Sequence, residues 1–233
     1  MKPIAALGQA LLDLLFPRIC LGCGVEGTLL CRLCREQLLA AAPSCLVCRR
    51  RNFTGILCPL CAERSALRRF LAPFSYRDIL VRDLIHAYKY HGVRELAGLF
   101  ASEIAAFLAF YNIRLPRGTL LVPIPLHRWR ERERGFNQAR LLAQALGDRL
   151  QLTVVSSLRR RRPTEQQIEM DSYEQRRSNV AGSFYLTDPA LARKKTIVVV
   201  DDVATSGATL SEAARVLRQA GAATVWAIVI AKG

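Results

Sequence analysis

No cysteine follows Cys61 in this chain of 233 residues, although eight lie at or before it. That confinement, in four evenly placed pairs, argues against a secreted disulfide scaffold. Acid is scarce as well: 19 Asp and Glu stand against 34 Lys and Arg, a formal net charge of +15. Such a surplus attracts polyanions, whether nucleic acid, phosphorylated metabolites or an anionic membrane surface, and carries no information about fold. Aromatic residues make up 7%, too few for an evident platform on which single-stranded bases could stack. No apolar run approaches the roughly 18 residues that would suggest a membrane span. There is no G-x-G-x-x-G after an early strand and no G-x-x-x-x-G-K-S/T, which excludes a dinucleotide-binding fold and a P-loop nucleotidase. Nor is there a low-complexity linker, or any internal repeat beyond the cysteine pairs.

What is present describes a globular chain, with 51% hydrophobic and 23% charged residues. Its length suits one domain with an appendage, or two small domains. The N-terminal stretch MKPIAALGQALLDLLF has Lys2 and an apolar run, as a signal peptide would. Gln9 and Asp13 interrupt that run, however, and no small-residue cleavage site follows. Its apolar positions Ile4, Leu7, Leu11, Leu14 and Leu15 fall on one helical face. A short helix docked on the protein is expected, with a membrane-surface helix as the alternative. The protein is expected to be cytoplasmic, without a transmembrane segment.

The cysteines form four C-x-x-C pairs: Cys20/Cys23, Cys31/Cys34, Cys45/Cys48 and Cys58/Cys61. One such turn brings two thiolates to a tetrahedral metal, and two turns complete a four-thiolate shell around Zn²⁺, so two zinc sites are expected. Filled, they would reduce the working charge from +15 to about +11. CLGCG looks like a zinc knuckle, with Gly22 and Gly24 easing the turn around sulfur. Residues 1–68 are too few to bury a strong core of their own, and structural zinc can contribute on the order of 10 kcal/mol or more. The intervening loops of 7, 10 and 9 residues leave the pairing open. Sequential pairing is expected, with an interleaved cross-brace as the alternative.

From residue 69 to 233 the pattern becomes alternating strands and helices. LAPFSY, TLLVPIPL, LTVVSSL, KKTIVVVDD and ATVWAIVIAK read as strands. DILVRDLIHAYKYHG reads as a helix ending at Gly92, followed by the helices VRELAGLFASEIAAFLAFY, NQARLLAQALGDRL with Asn137 as N-cap, and ATLSEAARVLRQAG. Continuous Val and Ile strands separated by helices mean an α/β fold: a parallel sheet covered by helices on both faces.

Asp201 and Asp202 follow IVVV directly, at the carboxyl edge where open α/β sheets bind ligands. The next residues, Ala204, Thr205, Ser206, Gly207, Ala208 and Thr209, are small, rich in hydroxyls, and open a helix. Backbone N–H groups, three hydroxyls and the helix dipole can then converge on one anion, with Gly207 allowing close approach. The arrangement suits a molecule with a phosphate next to a diol.

Residues 197–209 resemble the 5-phosphoribosyl-1-diphosphate (PRPP) motif of type I phosphoribosyltransferases: a hydrophobic run, two acids and T-S/T-G-x-T. VPIPLHRWRERERGFNQARLLA, RRRRPTEQQIEMDSYEQRRSNVAGSF and YKYHG, together with the cysteine module, resemble the ComF family, which includes ComFC and the GntX-like proteins; RGFNQ is the most distinctive signature. The resemblance implies a type I phosphoribosyltransferase-like sheet at residues 69–233, behind a helix and double zinc ribbon at 1–68. It implies that Asp201 and Asp202 contact the ribose 2′ and 3′ hydroxyls, and that Ala204 to Thr209 wrap the 5′-phosphate. Mg²⁺ would lie between ribose and diphosphate, held largely by the ligand.

The loop after LLVPIP would hold the diphosphate. Arg128, Arg130, Arg132 and Arg134 supply forked donors there and Gly135 frees the backbone, although Glu131 and Glu133 also suit a solvated, salt-bridged stretch. Arg134, Gly135 and Asn137 are the residues assigned to PRPP, and His127 is expected to be structural. RRRRPTEQQ looks like the mobile loop that closes over PRPP. The resemblance assigns Arg162, Thr164, Gln167 and Arg176 to catalysis, and Asn179 also matches the pattern. A basic group there would neutralise the departing diphosphate, and closure would exclude water. The expected function is PRPP binding by a phosphoribosyltransferase-like protein linked to single-stranded DNA uptake or processing in natural competence, with competence-machinery proteins as partners. The expected reaction is displacement of diphosphate at ribose C1. The alternative is a non-enzymatic nucleic-acid-binding protein that uses the pocket as a ligand sensor, its zinc module and arginines holding DNA.

Overall fold

The computed structural model describes residues 18–63, 65–161 and 180–233. The expected N-terminal helix lies outside them. In chain order the elements begin with two short helices among the cysteines, α1 (Arg32–Glu36) and α2 (Pro59–Ala62). Then come β1 (Arg69–Leu71), β2 (Phe74–Ser75), α3 (Ile79–Tyr90), α4 (Leu96–Phe110), β3 (Leu120–Pro123), α5 (Arg128–Arg134) and α6 (Gln138–Leu150). The chain continues through β4 (Thr153–Val154), β5 (Leu158–Arg160), β6 (Phe184–Leu186), a 3₁₀ turn at Pro189–Ala192, β7 (Thr196–Ala204), α7 (Ala208–Gln219) and β8 (Thr224–Lys232).

The main sheet is parallel throughout, in the order β1-β8-β7-β3-β4, with β2 continuing the β1 side of β8. β7 and β8 lie at its centre, and the side chains of Ile197 to Val200 in β7 and of Val225 and Ile228 to Ile230 in β8 are buried, as continuous apolar runs require. Side chains alternate across a strand. Val198 and Val200 therefore join Leu84 and Ile85 of α3, Phe100 of α4 and Leu142 of α6 in one core. Ile197 and Val199 join Leu210, Ala213 and Leu217 of α7 in the other.

This division positions the crevice. The chain leaving β3 passes to α6 on one face, and the chain leaving β7 passes to α7 on the opposite face. The carboxyl ends of β3 and β7 are therefore the switch point of the sheet, where ligands of such folds sit. β3 stops at Pro123, opposite Val200, while β7 runs on to Ala204 alongside β8 alone. Asp201 and Asp202 lie in the part of β7 that β3 has left uncovered.

The cysteine segment is built into this sheet. Ile56 pairs with Arg69 and Ala40 with Phe74, while Phe70 N–H donates to Gly55 carbonyl at 2.8 Å and Ala41 N–H to Pro73 carbonyl at 2.7 Å. The segment thus lines the outer edge formed by β1 and β2, an edge whose backbone groups would otherwise invite pairing with another chain. Cys20, Leu30 and Cys34 enter the core beneath α3 and α4, whereas Cys45, Leu46, Leu57 and Cys61 enter the core beneath α7.

Four expectations change. LAPFSY is two short strands, not one, because Ala72-Pro73 interrupts them and Pro73 has no N–H to donate. LTVVSSL contributes only Thr153–Val154 to the main sheet, and Leu158–Arg160 turns away to form an antiparallel ribbon with β6. The end of the strand carrying the acid pair moves: KKTIVVVDD continues as strand to Ala204. The basic stretch after LLVPIP, expected as a loop, is the helix α5, closed by Gly135 at φ 78°, a left-handed conformation that glycine adopts without penalty.

Candidate functional site

The alternation along β7 sends the two acids in different directions. Asp202 shares the parity of Val198 and Val200, so it faces α3 and α6 and is buried. There its carboxylate forms an ion pair with Lys89 of α3 and accepts a hydrogen bond from Gln138 Nε2 of α6 at 3.2 Å. The Asp202 side chain is 5% exposed and that of Lys89 18%, so neither charge is screened by much water. Asp201 is only half-buried, and its carboxylate accepts the N–H of Asp202 at 2.9 Å.

The electrostatics separate the pair. For Asp202, burial alone would raise the pKa, but the Lys89 ammonium and the hydrogen bonds from its neighbours outweigh it and hold the group below the usual carboxylate range. Asp201 is pushed well above that range by desolvation and by the adjacent Asp202 charge. Burial pulls Lys89 down, yet the Asp202 and Asp201 charges raise it above the ordinary lysine value. Lys89 and Asp202 therefore persist as a charged pair, while Asp201 resists ionisation.

Beyond Ala204 the chain turns through Thr205, Ser206 and Gly207 into α7. Ser206 Oγ accepts the N–H of Ala208 at 3.3 Å, and Gly207 stands at φ 76° as the N-cap. The N-cap residue Gly207 has no side chain to offer, and no acid occupies the first turn of the helix. The positive end of a three-turn helix is thus left facing the crevice, as an anion-binding loop requires.

The opposite wall comes from RGFNQ. Arg134 donates to Gln138 Oε1 at 2.5 Å and lies over the Tyr90 ring at 5.0 Å. Gln138 in turn donates to Asp202, so Arg134 is linked through Gln138 to the carboxylate that Lys89 contacts directly. Asn137 is buried; it caps α6 through Arg140 N–H and donates to Ile124 carbonyl at 3.0 Å, which anchors the exit of β3. Gly135 carbonyl accepts from Arg94 at 3.4 Å. His127 caps α5 through Trp129 N–H. Arg128 and Arg132 are exposed, and Arg130 is half-buried. Arg160, in the β5–β6 ribbon, lies within electrostatic reach of both Arg130 and Asp201. Arg162, Thr164, Gln167, Arg176 and Asn179 lie outside the described residues.

The eight cysteines gather sequentially into two groups, Cys20/Cys23/Cys31/Cys34 and Cys45/Cys48/Cys58/Cys61, with all sulfurs of a group within 4.8 Å of one another. The Cys23–Cys31 and Cys48–Cys58 separations are 3.6 Å and 3.5 Å. A disulfide would need about 2.05 Å, whereas four sulfurs at about 2.3 Å from a tetrahedral zinc stand roughly 3.8 Å apart. Burial pushes the Cys20 thiol up, but backbone N–H groups of Cys31, Cys23 and Gly22 outweigh it and bring the pKa to about 6; Cys45 reaches about 6 in the same way. Cys34 is pushed up to about 12 by burial and by the other sulfurs. Crowded thiolates of this kind are stabilised by a shared dication, and both groups fit structural zinc.

Residues 132–233 match the phosphoribosyl transferase domain model. Competence protein ComFC of Bacillus subtilis is 29% identical over 229 residues, covering 84% of this chain and 91% of that protein. DNA utilization protein YhgH of Escherichia coli O157:H7 is 35% identical over 217 residues, covering 84% and 93%. The chain belongs to the ComF family. Competence protein F of Haemophilus influenzae is 26% identical over 209 residues, covering 87% of this chain and 85% of that protein.

For this ComF-family chain, every residue of RGFNQ has an assignable task. Arg134 and Gln138 reach toward Asp202, Gly135 turns the chain, Asn137 caps α6, and buried Phe136 packs against Tyr88 at 6.0 Å between ring centroids. The residues missed by sequence reasoning are Lys89 and Gln138, whereas Arg160 belongs to the run Arg159 to Arg162, of which one or two are expected to reach the site. A signal existed for Lys89: it follows buried Ile85 by four residues and adjoins fully buried Tyr88. A lysine on that face needs an acidic partner.

Metal analysis of the purified protein is expected to give two zinc ions per chain, and fewer than about one would exclude a pair of four-thiolate sites. Lys89→Met leaves Asp202 buried without its cation and is expected to lower the unfolding free energy by about 3–5 kcal/mol. In urea titrations, which read both variants, Asp201→Asn acts oppositely. A carboxyl with a raised folded pKa loses stability as pH rises from its unfolded value, about 3.9, through its folded value. The Asn variant should match wild type near pH 4 and become progressively more stable than it toward pH 8.

Proposed function

We propose that this protein binds PRPP, with Mg²⁺ carried by the ligand, in the crevice between the carboxyl ends of β3 and β7. The observation that carries the reading is the junction of the Asp201–Asp202 pair with the glycine-capped, acid-free start of α7 at the switch point of the sheet. Ala204 to Thr209 would take the 5′-phosphate, and the acids would accept the ribose hydroxyls. Because Asp202 is already engaged by Lys89 and Gln138, the half-buried Asp201 and the outer edge of Asp202 are the surfaces offered to the diol. Arg134, tied to the same network through Gln138, and the backbone at Gly135 would stand on the diphosphate side, with Arg160 as a further cation. Arg162, Thr164, Gln167 and Arg176 are proposed for the closing segment.

The reaction proposed is displacement of diphosphate at ribose C1. The bond to the diphosphate oxygen breaks as a nucleophile bonds to C1, and cationic side chains stabilise the charge that accumulates on the leaving group. The names of the relatives, competence and DNA utilization, support a role in handling DNA; we extend this to single-stranded DNA in the cytoplasm, with competence-machinery partners. The formal charge of +15 supports the same role.

Isothermal titration with PRPP and Mg²⁺ is expected to show one site per chain, lost in Asp202→Ala. Absence of heat at millimolar PRPP would exclude the pocket assignment, and binding without diphosphate release in the presence of any tested acceptor would identify a sensor. Single-stranded oligonucleotides are expected to bind with an affinity that falls steeply with salt, by roughly 0.7 in log–log slope per phosphate contacted; a flat salt response would remove the nucleic-acid role.

A further inference from the structure

The left-handed residue of the anion loop is held by the second cysteine group. Gly207 stands at φ 76°, and a Cβ placed there would meet Leu46 Cδ2 at 2.6 Å, Cγ at 2.9 Å and Cδ1 at 3.0 Å. Leu46 is 5% exposed and is the residue directly after Cys45, inside the Cys45-x-x-Cys48 turn. The space that glycine leaves is therefore filled by a zinc-knuckle side chain, so the absence of a Cβ serves the knuckle as well as the backbone conformation.

A second contact joins the same two parts. Lys232, the last residue of β8, donates to Cys45 carbonyl at 3.2 Å and to Ser44 Oγ at 3.4 Å. It pairs in the ladder with Ala204, the last residue of β7, whose carbonyl accepts Gly233 N–H at 2.9 Å. The knuckle thus touches the loop at Gly207 and the strand ends from which the loop departs. The first cysteine group does not share this position: a Cβ at Gly22 would meet Cys34 of its own group at 2.7 Å and then Leu80 of α3 at 3.3 Å.

We infer that Leu46 is a positioning residue for the anion loop, and that filling the Cys45/Cys48/Cys58/Cys61 group and binding phosphate at Thr205–Thr209 favour one another. This rests on the PRPP reading above. The physical reason is that closing the Cys45–Cys48 turn around a metal narrows the positions open to Leu46. Gly207, the most permissive residue of the loop, then has one packed conformation in place of several. Two sites that stabilise one shared conformation are linked, and each must strengthen the other by the same factor.

The test compares wild type with Leu46→Ala, Leu46→Val and Leu46→Met, using Leu21→Ala in the first knuckle as control. Three quantities are read: PRPP affinity, the rate of zinc release to a chelator with and without PRPP, and hydrogen exchange of residues 205–211. Leu46→Ala is expected to weaken PRPP binding by about tenfold or more and to accelerate exchange in the loop. Leu46→Val should show a smaller loss, Leu46→Met should restore binding to within about threefold, and Leu21→Ala should change nothing. Saturating PRPP should slow release of one of two zinc ions in wild type but of neither in Leu46→Ala. Unchanged loop exchange and unchanged PRPP affinity in Leu46→Ala and Leu46→Val would overturn the inference while leaving the PRPP site intact. Accelerated exchange in a protein whose wild type binds no PRPP would support the brace and overturn the proposed ligand.

Discussion

A carboxylate buried at the end of a central strand is the constraint around which this site is arranged. Removed from water, Asp202 loses several kcal/mol of hydration, and only a close cation with additional donors can compensate. Lys89 and Gln138 supply both, one from α3 and one from α6. Those helices must therefore approach β7 in a fixed relation, and buried Tyr88 reinforces it by donating its hydroxyl to Gln138 carbonyl at 2.7 Å. The same network reaches outward through Gln138 to Arg134. One ion pair thereby links the sheet, two helices and the basic wall of the crevice.

The division between the two acids follows from strand geometry and not from their chemistry. Adjacent side chains on a strand point to opposite faces, so Asp202 is committed to the protein interior and Asp201 is not. Identical groups thus acquire opposite titration behaviour from one peptide step. Separated environments of this kind let a site hold a fixed anion beside a group able to exchange its proton with the surroundings.

The central sheet was legible because β7 and β8 are unbroken β-branched runs, a pattern that a parallel strand buried on both faces demands and few other settings tolerate. The acid pair was legible for the same reason, since its position depends only on where such a run ends. The sequential grouping of the cysteines agrees with their spacing, although the loop lengths alone did not require it. What escaped was structure without an apolar signature. α5 buries no residue, so its charged sequence carries no periodicity and resembles a solvated loop. The turn between β4 and β5 lacks Gly and Pro, the usual punctuation, and the departure of Leu158–Arg160 from the sheet was hidden inside an apparently continuous strand. Lys89 escaped because its partner lies on a distant strand, and pairing across such a distance is visible only once the helices are packed.

The cysteine segment also covers the β1–β2 edge of the sheet. A parallel sheet has two open margins, and each offers unpaired N–H and C=O groups to any extended chain nearby. On this margin the cover is a small segment that fits two structural zinc ions, and bound metal would add to its stability. Metal supply would then govern more than local shape: a chain made in zinc-poor conditions would carry a bare strand edge, and its solubility during synthesis would depend on how soon the ion arrives.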